Sequence, residues 1–135
     1  MSDARHALLS AIHQRLTADA VLGAVLAGSQ VFDGTPQGVP YPFVATGEVR
    51  SRPLDGDDPP TLEHRVELVV HSRAAGRREA SDVAERVRML VDGAALAPAG
   101  HRLVSIRHID TEVIGSRDGR AYRARMRFRA LTEAN

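Results

Sequence analysis

The sequence contains no cysteine, which excludes a disulfide framework, a thiol nucleophile and a cysteine zinc site. It contains no lysine either, so all 18 basic residues are arginine. Schiff-base chemistry, a phosphate-loop lysine and a lysine general base each need a primary amine whose pKa can be shifted, and all three are excluded. Tryptophan is absent and aromatic residues make up 4% of the chain, which leaves few rings for stacking on nucleobases. No apolar run approaches the ~18 residues of a membrane span. The first residues alternate polar and apolar side chains, where an export signal would follow a charged stretch with a greasy one. The sequence therefore reads as soluble and unexported. The net charge is +1, so no overall field attracts a polyanion and a nucleic-acid contact would need a local patch.

What is present fits one folded domain over residues 1–135. The hydrophobic fraction of 43% and charged fraction of 26% are those of ordinary globular chains. From Asp3 to Leu16, Leu8, Ile12 and Leu16 recur every four residues beside Ala7 and Ala11, which predicts an amphipathic helix capped by Ser2 or Asp3. Thr17 and Asp19 offer a second helix start, and Gly28 is placed to end it. The segment from Val31 to Pro42 carries three prolines and two glycines and reads as an ordered loop. Phe43 to Arg50 and Leu62 to His71 read as a hairpin, with His64, Val66, Leu68 and Val70 on one face and Arg65, Glu67 and Val69 on the other. Between them, Pro53 to Pro60 is a polar arm without apolar period.

Gly76 to Val91 has helical apolar spacing, with Arg78, Asp82 and Arg86 placed to pair on its exposed side and Asp92-Gly93 to stop it. Arg102 to Ile114 and Ala121 to Leu131 read as strands around Asp118-Gly119, a dipeptide that favours two-residue hairpins. The last strand alternates strictly: Tyr122, Ala124, Met126, Phe128 and Ala130 against Arg123, Arg125, Arg127 and Arg129. The predicted fold class is α+β, a small, mostly antiparallel sheet of about four strands flanked by two to three helices.

Catalytic and metal chemistry find no purchase. The six histidines occur in no HxH or HExxH spacing, and His6 and His13 lie two helical turns apart, too far to share an ion. No GxSxG elbow is present. Gly23 to Gly28 has the glycines of a phosphate loop without its Lys-Ser/Thr. Asp55, Asp57 and Asp58 lack the glycine and distal glutamate of a calcium loop, so they read as a solvated tip or a docking arm. The arginine face of the last strand could neutralise phosphates. It could equally pair across the sheet with Glu63, Glu67 and Glu112, since opposite cross-strand charges are routine on a solvated face. The expectation is no enzyme, no metal and no cofactor.

The order of these elements, with Val31-Phe32-Asp33-Gly34, Tyr41-Pro42-Phe43-Val44, Gly47, the His64-to-Ser72 strand, Glu79-Ala80 and Asp118-Gly119, resembles the tail-terminator (tail-completion) proteins of tailed phages and gene transfer agents. The resemblance spans nearly the whole chain. It implies a virion structural protein without catalytic residues, assembled in the bacterial cytoplasm. In particular, it implies a homo-oligomeric ring, typically a hexamer, that caps the tail tube protein and meets a head-completion or connector protein at the head–tail junction, with DNA passing through unbound. The expected assembly contacts join Arg123, Arg125, Arg127 and Arg129 to Asp55, Asp57 and Asp58 of a neighbouring subunit, or to the tube. A head-completion or connector subunit and a small nucleic-acid-binding module are the alternatives.

Overall fold

The computed structural model describes residues 3–26, 31–34, 37–54, 61–73 and 76–134. Helix α1 (Ala4–Thr17) is opened by Asp3, whose carboxylate accepts from the Arg5 N–H at 3.0 Å. Helix α2 (Ala20–Val25) is opened in the same way by Asp19, which accepts from the Leu22 N–H at 2.8 Å. Both caps satisfy amides that a helix start leaves without a partner. Leu26 is the C-cap of α2, and Gly28, the expected stop, lies outside the described residues.

Val31–Asp33 forms a strand, β1, where the sequence reads as loop; it pairs in parallel with Val44–Thr46 of β2 (Phe43–Pro53). Three residues are too few to display a two-residue period, so local pattern cannot reveal this strand. The chain continues through β3 (Leu62–Ser72), α3 (Arg78–Val91), β4 (His101–Gly115) and β5 (Tyr122–Ala134). Among the described residues the sheet therefore has five strands, in the order β1-β2-β3-β5-β4, and the fold is the α+β class expected. All pairs except β1–β2 are antiparallel. The β4–β5 connection is also longer than the Asp-Gly signal suggests. The Ser116 N–H donates to Ala121 C=O at 2.8 Å, enclosing four residues, while Asp118 accepts from Ser116 Oγ and the Arg120 N–H.

All three helices cover one face of the sheet. That face presents Val44, Val66, Leu68, Val70, Ile106, Ala124, Met126, Phe128 and Ala130. Leu8, Ile12 and Leu16 of α1, Leu22 of α2, and Val83, Val87 and Val91 of α3 pack onto it. Arg86 does not join the expected helix-surface ladder. It forks onto Asp19, with its Nε and Nη2 at 2.9 and 2.7 Å from the two carboxylate oxygens, and so ties α3 to the start of α2. Arg78 and Asp82 do pair, at 3.7 Å.

A polar island sits within this face. The His64 ring bridges Ser51 Oγ (2.7 Å, on Nδ1) and Thr132 Oγ1 (2.9 Å, on Nε2), joining β2, β3 and β5. His64 and Thr132 are fully buried, and burial holds the His64 pKa below its ordinary value. A buried polar group needs such partners to avoid the cost of desolvation.

Strand registers place the two connections at opposite ends of the sheet. The β2–β3 connection lies at the end where Leu62 faces Thr132, and the β4–β5 turn at the end where Ser72 faces Tyr122.

Candidate assembly surfaces

The face turned away from the helices is built from arginine and carboxylate. Alternation along β5 sends Arg123, Arg125, Arg127 and Arg129 to it, and β3 sends Glu63 and Glu67. Arg129 Nε lies 2.6 Å from Glu63, Arg125 Nη2 2.9 Å from Glu67, and Arg127 Nε 2.9 Å from Asp110 of β4. Two of these acids are among those expected to pair with the strand. Asp110 takes the place expected for Glu112, which lies opposite Arg125.

Glu63 is the hub. Arg52, Arg129 and Arg65 surround its carboxylate at 2.9, 2.6 and 3.6 Å, leaving the side chain only 4% exposed. It is covered by guanidinium groups, and the hydrogen bonds from Arg52 and then Arg129 draw its pKa from 4.5 to about 2. Arginine suits this site because its fork can engage two acceptors while its stem lies flat along the strand.

Bulges set which charges meet. In β2, Gly47 and Glu48 together oppose Glu67. A Cβ on Gly47 would stand 2.2 Å from the Glu67 Oε1, so glycine leaves the room that this side chain occupies. In β4, the register shifts at Val104 and again at Ile109, and both side chains are exposed. Between the bulges in β2 and β4 lies a depression of about 410 Å³ whose lining includes Glu48, Arg50, Arg65, Ile109, Asp110 and Arg127. The free edge of β4 is covered at its middle. Gly93, at φ 70°, a conformation that favours glycine, donates to Ile106 C=O at 2.8 Å, and Asp92 Oδ1 accepts from the His108 N–H at 3.0 Å. The residues that stop α3 thus also block strand addition at that point.

The four arginines do not behave alike. Arg125, Arg127 and Arg129 have carboxylate partners within the chain, whereas Arg123 makes no ion pair among the described residues. Arg123 lies at the β4–β5 turn end, opposite His71 and Ile114. Near it, Arg73 stacks over Tyr41 (4.5 Å) and Arg77 over Tyr122 (5.5 Å), while Arg117 and Arg120 flank Asp118. None of these four forms an ion pair among the described residues. This basic end is not evident from the sequence beyond a turn signal, because its members are separated by up to 50 residues. Asp55, Asp57 and Asp58, the expected acidic partners, lie outside the described residues. Among the described residues no three His, Asp or Glu side chains group to hold a metal ion, and no helix is long and apolar enough to cross a membrane.

A family model described as tail completion protein gp17 matches residues 10–133. The chain belongs to this tail completion family. It is similar over 99% of its length to 100% of a chain in the virion of a native gene transfer agent particle, at 27% identity and a TM-score of 0.88. It also shares the fold of bacteriophage SPP1 gp17, with 23% identity over 94% of this chain and 89% of that one and a TM-score of 0.67. No match is found among the curated proteins. As a member of the tail completion family, the chain is a structural protein of phage or gene-transfer-agent virions. The matched span includes both the charged sheet face and the arginines of the basic end. In a tail completion protein, these surfaces are candidates for contact with other virion components.

Proposed function

We propose that this chain is a single-domain, non-enzymatic tail terminator that closes into a ring, typically of six copies, caps the tail tube and joins the tail to the head. The observation that carries this reading is the end-to-end likeness to a chain of an assembled gene transfer agent virion, within a tail completion family. A ring is built from a heterologous interface, so each copy needs two different, complementary surfaces. The sheet has chemically distinct ends and a charged face able to supply them. The tube protein on one side and a head-completion or connector protein on the other are the further partners, with DNA threading the centre unbound.

Of the expected contact set, Arg125, Arg127 and Arg129 are held by acids of their own chain, so a neighbour's acid would have to displace those acids. Arg123 is the one free to engage Asp55, Asp57 or Asp58 directly. Electron microscopy of particles made without the chain tests the function. Tails of unregulated length, or tails detached from heads, are the expected result, and normally joined tails of uniform length would refute it.

A further inference from the structure

The arginines of this chain fall into two populations. Those on the sheet face and on the helices have acids beside them, apart from Arg15, Arg50 and Arg107, which form no ion pair among the described residues. Arg73, Arg77, Arg117, Arg120 and Arg123 gather at one end of the sheet, are exposed, and form no ion pair among the described residues. The acids near this end are already engaged in local bonds. Asp118 accepts from Ser116 Oγ and the Arg120 N–H, and Glu79 accepts from Ser72 Oγ at 2.6 Å. Two of the arginines rest on tyrosine rings, which orders the guanidinium groups while leaving their N–H donors open. The result is a preorganised cationic surface on a chain whose net charge is only +1.

The densest run of acid in the same sequence is Asp55, Asp57 and Asp58, in the connection between β2 and β3. That connection joins the strands at the opposite end of the sheet. Its two flanks are held together by the Leu54 N–H donating to Thr61 C=O at 2.8 Å. With both flanks anchored, residues 55–60 can reach no more than about three residues outward, roughly 10 Å. The 11 residues of β3 separate the two ends by ~35 Å. The acidic segment therefore cannot reach the basic end of its own chain.

From this complementarity and this distance we infer that the Arg73/Arg77/Arg117/Arg120/Arg123 end is the docking site for the Asp55–Asp58 segment of a second copy. The inference rests on the ring-forming reading above and moves its receptor from the β5 face to the end of the sheet. A contact between opposite ends is head-to-tail, the arrangement that continues around a ring and fixes the order of subunits. Charge at the rim of such an interface acts on encounter and register, so the contact should weaken with salt.

The test uses the full chain in three forms: R73E/R117E/R120E, D55R/D57R/D58R, and the two sets combined. Sedimentation velocity at low and high salt measures self-association, and circular dichroism confirms that each form is folded. Wild-type association should fall with salt, and each single set should weaken it about tenfold or more. The combined form, with both ends reversed, should recover most of the loss. Single-set variants that associate like wild type would overturn the inference, as would a combined form no better than either set, or a wild-type chain that stays monomeric. A duplex DNA fragment bound by wild type and lost in R73E/R117E/R120E, with self-association unchanged, would reassign the end to nucleic acid. Particle assembly separates the two levels of failure. Normal tails in particles carrying a single-set variant, alongside defective tails in particles lacking the chain, would sink the docking contact and leave tail completion standing.

Discussion

The two faces of the sheet are made by the same strands and hold together by different physics. The helix face is closed with aliphatic and aromatic side chains, and Phe128, Met126 and Ala124 of β5 are fully buried there. The opposite face is ordered by arginine–carboxylate pairs, most of them open to solvent on at least one partner. Burial of apolar area is non-directional and large, whereas an exposed ion pair gains little after side-chain ordering and screening. Stability should therefore reside on the helix face. The outer face contributes little to it.

The largest expected break in this comparison comes from Phe128→Ala, which opens a cavity between the sheet and the helices. About 3–5 kcal/mol should be lost in denaturant unfolding. Arg127→Ala, one residue away on the other face, should cost at most about 1 kcal/mol. Comparable losses at the two positions would show that the outer face is as strongly coupled to folding as the core.

A second, smaller effect is expected at Glu63, the one outer-face acid shared by three arginines. Glu63→Gln leaves Arg52, Arg65 and Arg129 facing one another without a charge between them. It should lower the melting temperature more than Asp110→Asn, which frees a single exposed arginine. Equal shifts would mean that the hub is no more than the sum of its pairs.

Acid should act on the buried histidines and on Glu63 in separate windows. Burial depresses the pKa of His64 below 6.5, so below that pH the unfolded chain takes up a proton that the folded chain refuses. Stability is then full above pH 6.5 and falls as pH drops. His71 shifts in the same direction, through burial and then Arg123, so His64→Gln should flatten this window without abolishing it. Glu63, lowered from 4.5 to about 2, adds stability that is present above pH 4.5 and lost as pH falls towards 2. Glu63→Gln should remove that loss and leave the histidine window intact, as read from melting temperature against pH.

The smallest expected effect is at Gly47→Ala. The new methyl group crowds Glu67 from Oε1 at 2.2 Å to Cγ at 3.1 Å and so disturbs its pair with Arg125, which should cost no more than about 0.5 kcal/mol. A larger cost would locate strain in the β2 bulge itself.

Much of the architecture is legible locally because period is a property of neighbours in sequence. The helix over Arg78–Val91 and the alternation of β3 and β5 follow from apolar spacing alone, and Asp3 and Asp19 cap the helices whose starts they mark. The same alternation places Arg123, Arg125, Arg127 and Arg129 on one face. Strand β1 is too short to carry a period, and its parallel partner lies 13 residues onward. The basic end gathers arginines from the β3–α3 connection, the β4–β5 turn and β5, which no spacing rule unites.

By itself, then, the sequence determined that thiol and primary-amine side-chain chemistry is absent, which segments are helices and long strands, and that one strand face is arginine. The tertiary structure alone decided which charge meets which. That choice depends on register, and register here is set by bulges at Gly47-Glu48, Val104 and Ile109, each of which moves the facing strand by one residue. The fold brought Asp110 to Arg127, paired Arg86 with Asp19 across 67 residues, and gathered five arginines without an ion pair among the described residues at one end. Pairing between strands is a long-range property, and only the folded sheet holds it.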